Sequence, residues 1–318
     1  MDLFIILILL LLLILYRPDK ELSELKMKYD FSHSTFQTVL IDNQEINIHY
    51  RDEGDPSSHV IILLHGMFSS LQTFDEWASL LLQSGYRVIR IDLPNHGASG
   101  SFSDHVISLR RSALVVKAIV DHLQLQALSI GGNSMGGGVS WYFSALYHES
   151  IHIRHLILID SVSPLNAYRN SSKWRDFMNN TFLGKVMCKL TPKFLFILLL
   201  KFIYGSGGTL TQKTIDRYYD FLLLEGNREA IVTSKPEPFD ELMNVKALEI
   251  IQSATIPTLI MWGKEDRLIP ISTIDEFQAL FFSSHTEIKI YETLGHLPME
   301  EDSLMTFNDL SSFLRKHS

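Results

Sequence analysis

Residues 127–143 read ALSIGGNSMGGGVSWYF, and this stretch decides the fold. Ala127 to Ile130 is a short apolar run of strand type. Val139 to Tyr147 carries helical patterning. Between them lies Gly132-Asn133-Ser134-Met135-Gly136. A serine on a tight strand-to-helix turn has its hydroxyl held out of the backbone, and such a turn closes only when the residues two before and two after it are small. Gly132 and Gly136 meet that requirement.

Working outward, the same strand–helix alternation recurs. Phe36–Ile41 and Glu45–Arg51 flank Asp42-Asn43, which is the signature of a β-hairpin. Val60–Leu64 is a buried-type strand ending at His65-Gly66. A helix pattern through Phe74, Trp77, Leu80 and Leu81 follows, punctuated by Gly85. Arg87–Ile91 is the next strand and runs into the loop Asp92-Leu93-Pro94-Asn95-His96-Gly97. His105–Leu123 suits a helix. Downstream, His155–Ile159 ends at Asp160, and Thr258–Met261 leads into Trp262-Gly263-Lys264-Glu265-Asp266. Glu287–Tyr291 precedes Leu294-Gly295-His296, and a terminal helix covers 302–315. This pattern predicts an α/β protein with a mostly parallel central sheet flanked by helices, built from 36–161 and 246–318. The alternation breaks once, at 162–245, where helical patterns such as Phe194–Tyr204 occur without a convincing strand. That segment is expected to be an inserted helical cap, with Gly205-Ser206-Gly207-Gly208 as a joint.

Composition narrows the function classes. The 318 residues carry a net charge of −8, which leaves no basic stripe to neutralise phosphates and argues against a nucleic-acid partner. The single cysteine, Cys188, excludes an internal disulfide and sits in an apolar stretch that suits an inert buried thiol. His148, His152 and His155 straddle a helix end and a strand start without a completing carboxylate or cysteine set, so no metal site is expected.

The amino terminus is apolar without interruption from Leu3 to Tyr16. As a helix this run reaches about 21 Å, against about 30 Å for a bilayer core. Asp2 before it and Tyr16-Arg17-Pro18 after it do not fit a cleaved signal peptide. Residues 1–17 are therefore expected to form an uncleaved anchor, with residues 3–16 in the membrane. Arg17, Lys20, Lys26 and Lys28 would then place the body on the cytoplasmic side.

The carboxyl ends of parallel strands are where open α/β sheets build their sites. Ser134, Asp160, Asp266, His296 and the His65-Gly66-Met67 stretch all fall at such ends. A serine hydroxyl needs an imidazole to accept its proton, and the imidazole needs a partner that fixes its tautomer. Ser134, Asp266 and His296 supply those groups in the chain order Ser…Asp…His that this turn type takes. Glu265 and Asp160 are competitors for the acid. His65 and His96 read as residues that shape their loops.

From about residue 36 to the end the chain resembles the α/β-hydrolase superfamily. The resemblance is carried by His65-Gly66, Asp92 to Gly97, Gly132 to Gly137, Trp262 to Asp266, and Gly295-His296. The Ser-Met-Gly-Gly turn, the cap and the apolar amino terminus are similar to membrane-associated monoacylglycerol lipases and cold-adapted bacterial lipases. The resemblance implies that Ser134 is the nucleophile, His296 the general base and Asp266 its orienting acid. It also implies an oxyanion hole from the backbone N–H groups of Met67 and Met135. The implied activity is hydrolysis of apolar acyl esters, acylglycerol-like, without a cofactor. The same residues on an amide, thioester or carbon–carbon bond, and a non-catalytic binding protein on this fold, are the competing readings.

Overall fold

The computed structural model describes residues 13, 15–163, 189–232, 234–236, 255–281 and 285–317. An eight-stranded sheet forms the centre, in the order β1-β2-β4-β3-β6-β7-β9-β10. Its strands are β1 (Ser34–Ile41), β2 (Gln44–Glu53), β3 (Val60–Leu64), β4 (Arg87–Ile91), β6 (Ala127–Asn133), β7 (His152–Ile159), β9 (Thr258–Gly263) and β10 (Thr286–Tyr291). Strands from β4 through β10 run parallel, and the β1–β2 hairpin joins antiparallel to β4. Asp42 and Asn43 close the hairpin with φ of 48° and 61°. Positive φ at both central residues matches the turn twist to the strands.

The all-apolar β3 shows why the sheet is sandwiched. Successive side chains point to opposite faces, so a strand covered on both sides is apolar throughout. Ile62 and Leu64 enter one core with Ala113, Val116, Trp141 and Tyr142. Those residues come from α3 (Leu109–His122) and α4 (Met135–Tyr147). Ile61 and Leu63 enter a second core with Trp77, Leu81, Leu310 and Phe313. These belong to α2 (Asp75–Gln83) and α10 (Ser303–Lys316).

Helix α3 begins at Leu109 rather than His105. The Ser108 hydroxyl caps it, accepting from the Arg111 N–H at 3.0 Å. The preceding Val106–Ile107 (β5) pairs instead with Lys235–Pro236 (β8). Besides β8, the described chain between β7 and β9 holds the helices α5 (Lys193–Ile203), α6 (Gln212–Leu223) and α7 (Asn227–Val232). Much of the rest of the 162–245 segment, and Cys188, lie outside the described residues. The Gly205–Gly208 stretch, expected to act as a joint, is closely held. Gly205 N–H donates to Glu301 at 2.7 Å, Ser206 N–H to Glu265 at 2.7 Å, and Gly207 N–H to the Thr293 carbonyl at 2.8 Å.

The expected amino-terminal anchor is corrected here. Among the described residues no helix is long and apolar enough to cross a membrane. Of the apolar run only Leu13, Leu15 and Tyr16 are described; the remainder lies outside. The run cannot gain length at its carboxyl end, because the chain turns onto the body directly after it. Arg17 N–H donates to the Lys189 carbonyl at 2.9 Å. Arg228 holds the Arg17 carbonyl at 2.8 Å and pairs with Asp19. Around the two ends of α1 (Leu22–Lys28), Lys20, Lys28 and Tyr29 converge on Asp220 of α6. The cytoplasmic placement inferred from the flanking lysines falls with the anchor, since Lys20 and Lys28 form ion pairs with Asp220.

Candidate active site

Ser134 sits between the end of β6 and the first residue of α4, with φ 54° and ψ −117°. Such a backbone costs on the order of 1–3 kcal/mol in a non-glycine residue and persists only where the surroundings impose it. The surroundings here do so. Ser134 N–H donates to the Ile159 carbonyl at 2.9 Å, and the Ser134 carbonyl accepts from Gly138 and Val162 at 3.1 and 3.0 Å. A Cβ on Gly136 would overlap the Leu64 carbonyl oxygen, and one on Gly132 would lie 2.5 Å from the carbonyl carbon of Gly136. Ser134 is half-buried while every residue around it from Leu128 to Ala145 is buried. The positive end of the α4 dipole lies at this serine.

Asp266 and His296 meet although they come from different strand ends. Asp266 follows β9, and its Oδ1 accepts from the Leu268 and Ile269 N–H groups at 2.7 and 3.1 Å. Its Oδ2 accepts from His296 Nδ1 at 2.7 Å, a buried contact. With Nδ1 donating, Nε2 carries the ring's lone pair. The histidine backbone is fixed on both sides: its N–H donates to the Ile203 carbonyl of α5 at 2.8 Å, and its carbonyl accepts from Asn133 Nδ2 at 2.8 Å. Glu301, in α9 (Pro298–Glu301), pins the same loop by accepting from the Gly295 and Leu297 N–H groups. Burial pushes the Glu301 carboxyl above its ordinary range, against the pull of those N–H donors.

The competing acids separate clearly. Glu265 is turned to Ser206, taking its N–H and hydroxyl at 2.7 Å each. Asp160 is fully buried, and its Oδ1 accepts from the Gly263 N–H at 3.0 Å. Among the described residues, Asp160, Asp266 and His296 form the one group of His, Cys and carboxylate side chains close enough to share an ion, their atoms all within 4.8 Å.

Met67 follows β3, 39% exposed, and Met135 is the buried first residue of α4. A Cβ on Gly66 would lie 3.0 Å from the Ser134 Cβ, so the Met67 loop presses on the serine. His65 supports that loop: Nδ1 donates to the Gly66 carbonyl at 2.7 Å, and Nε2 accepts from the Leu93 N–H at 3.0 Å. Burial holds its pKa down, in keeping with this neutral tautomer. His96 is buried in its turn against the Pro94 carbonyl at 2.9 Å. His148, His152 and His155 lie at the opposite ends of the strands, lining a cavity of 420 Å³ with Arg154 and His317.

Three supporting residues were not singled out for these contacts by sequence reasoning: Asn133, Asp160 as a neighbour of Asp266, and Glu301. Asn133 stood inside the motif, and Asp160 at a strand end. No signal in the sequence marked Glu301.

The chain is similar in sequence and fold to known proteins. The chain is 24% identical over 274 residues to a 2-hydroxy-6-oxononadienedioate/2-hydroxy-6-oxononatrienedioate hydrolase of Paraburkholderia phymatum, covering 83% of this chain and 89% of the relative. It is 26% identical over 273 residues to Lipase 1 of Psychrobacter immobilis, covering 83% of this chain and 79% of the relative. A solved thermophilic esterase from Thermogutta terrifontis superposes with a TM-score of 0.70 at 19% identity, covering 89% of this chain and 99% of that one, a likeness of fold alone. The alpha/beta hydrolase fold family matches residues 59–303, the stretch that contains the serine turn, the buried Asp266–His296 pair and the parallel strands that carry them. The chain belongs to that family.

Proposed function

We propose that this hydrolase cleaves carboxylic esters of apolar acyl groups, acylglycerols among them, through an acyl-enzyme on Ser134. The observation that carries the reading is the Asp266–His296 hydrogen bond at 2.7 Å, which engages Nδ1 and leaves Nε2 to face a substrate, on a loop tied to the serine turn through Asn133. His296 takes the Ser134 proton as the oxygen attacks the ester carbonyl. The resulting oxyanion is received by the N–H groups of Met67 and Met135 at the head of α4. Losing one such donor typically costs about 2.7–4 kcal/mol of barrier stabilisation. His296 then gives its proton to the departing alcohol, and activates water to release the acid. No cofactor enters these steps. Apolar substrates are favoured by α5, whose end touches the His296 backbone and which exposes Phe194, Leu195, Leu198 and Phe202.

A second reading keeps the same three residues and changes the scissile bond to carbon–carbon. The likeness to the oxononadienedioate hydrolase favours it. A panel of acylglycerols of graded chain length, p-nitrophenyl esters and vinylogous diketones separates the two. Turnover of esters by wild type and its loss in Ser134→Ala support the ester reading. Turnover confined to the diketones supports the second, and ester turnover that survives in Ser134→Ala overturns both.

A further inference from the structure

Asp160 sits beside the proposed acid–imidazole pair without belonging to it. It ends β7 in a left-handed conformation, φ 41°, and has no exposed surface. One of its oxygens, Oδ1, accepts from the Gly263 N–H. The other, Oδ2, is buried and accepts no hydrogen bond from the described residues. One ligand atom each of Asp160, Asp266 and His296 lies within 4.8 Å of the others. Close, buried carboxylates disfavour ionisation of both, so a proton on one of them relieves the repulsion.

The donor count decides which one. Asp266 receives three N–H donors, from Leu268, Ile269 and His296. Asp160 receives one. It also faces Asp266 from the loop after β9 and Glu301 from α9, both acidic, with Tyr291 of β10 nearby. The orphan Oδ2 is explained if it carries the proton, because a buried O–H beside a carboxylate is a donor with an acceptor in reach.

We propose that Asp160 is a positioning residue held as a neutral acid, whose Oδ2–H donates to the Asp266 carboxylate and fixes it against the His296 ring. This rests on the roles proposed above for Asp266 and His296. The support is consistent: burial, then the Asp266 charge, pushes the Asp160 carboxyl well above the ordinary carboxylate range. Among the described aspartates whose pKa is displaced, only Asp160 moves upward. The same three groups have the spacing of a cation site. However, His296 Nδ1 donates to Asp266 and so offers no lone pair there, and a bound ion would have to break that hydrogen bond.

The role differs from that of the base-orienting acid. Asp266 must be charged to stabilise the imidazolium, whereas Asp160 must be uncharged to donate. Asparagine can replace the second function, since its amide offers an N–H donor to Asp266 and an oxygen to Gly263. Alanine cannot.

The test combines infrared spectroscopy of the full chain carrying isotopically labelled aspartate with pH profiles of ester hydrolysis. Wild type at neutral pH is expected to show the carbonyl stretch of an un-ionised aspartic acid, lost in Asp160→Asn. Asp160→Ala is expected to lower kcat about 10-fold with KM unchanged, by analogy with other residues that orient a reacting group from behind. Asp160→Asn is expected to restore most of it, and to leave the acid limb of kcat/KM in place, because one neutral group replaces another. A wild-type spectrum without that band overturns the proposal, as does an acid limb that moves to lower pH in Asp160→Asn, the sign of a lost negative charge. If Asp160→Ala does not fold, the wild-type band and the asparagine profile still decide. Labelling of wild type by a fluorophosphonate separates the two levels: Ser134 labelled without an acid band sinks this inference alone, while unlabelled Ser134 sinks the ester-hydrolase reading beneath it.

Discussion

Asn133 donates its side-chain N–H to the His296 carbonyl at 2.8 Å, so the residue preceding Ser134 ties the serine turn directly to the histidine loop. The same amide reaches the Ile159 carbonyl at 3.3 Å, and Asn133 is almost fully buried. Removing the amide frees the loop that carries the imidazole. Displacements near 1 Å in such a site cost on the order of 100-fold. Asn133→Ala is expected to lower kcat/KM for a p-nitrophenyl ester by about 10- to 100-fold, with a smaller effect on thermal stability. Equal activity in the variant would show that the loop is held elsewhere.

Asp92 organises the neighbouring loop. Its carboxylate accepts from His49 Nδ1 at 2.6 Å and from the Leu71 N–H at 2.7 Å, both buried, and from the Ala98 N–H at 2.8 Å. Burial pushes this carboxyl up, but the His49 hydrogen bond and charge, with His65 and Ala98, hold it below the ordinary value. A depressed folded pKa contributes stability that is fully present above the unfolded value of about 3.9 and is lost as pH falls through the folded one. Asp92→Ala breaks a buried pair and is expected to cost about 3–5 kcal/mol in urea unfolding at neutral pH. A loss below about 1 kcal/mol contradicts this role.

Arg217 ties α6 to Glu300 of α9 and to the segment before α2. It donates to Glu300 at 2.6 Å and to the Gln72 carbonyl at 3.1 Å. Glu300 also accepts from Thr73 at 2.6 Å and from Tyr204 and Tyr218 at 3.1 Å each. Arg217→Met leaves Glu300 charged and part-buried, which is expected to destabilise the protein by about 3 kcal/mol. Adding Glu300→Gln is expected to recover part of that loss. A double-mutant cycle with no coupling between the two positions would refute the link.

Acid sensitivity is expected from the far end of the sheet. The Ser129 hydroxyl bridges His59 Nε2 at 2.9 Å and His155 Nδ1 at 2.7 Å. Burial, with the Arg154 charge, holds both histidines at about 4. The unfolded state therefore takes up protons below about 6.5 while the folded state does not, so stability declines as pH falls from there to about 4. Denaturant midpoints between those limits are expected to fall with pH, and less steeply in His59→Gln/His155→Gln. Unchanged slopes contradict the assignment.

How much of this was legible follows from what each element depends on. Val60–Leu64 has the bounds its apolar run suggests, because burial on both faces is written in consecutive residues. Helix α4 begins at Met135, not Val139. Glycines at 136–138 are poor helix formers in isolation, but the packing of Gly136 against Leu64 and of Gly137 against Ser161 leaves no room for a side chain. The Asn133–His296 and Asp160–Gly263 contacts join residues 163 and 103 positions apart, so no local pattern could announce them. The apolar run at the amino terminus was read from its length and its flanking residues. The contacts of Arg17 and Asp19 with Lys189 and Arg228, which stop it from extending, are tertiary.

The central claim is that the Ser134 hydroxyl is activated by an imidazole held by Asp266. The most direct measurement is reaction of the full chain with a fluorophosphonate, peptide mapping of the adduct, and ester turnover of the product. One adduct per chain on Ser134 with hydrolysis abolished is expected, and His296→Ala is expected to slow labelling by several orders of magnitude. An adduct on another residue, or full hydrolysis by protein labelled at Ser134, would contradict it.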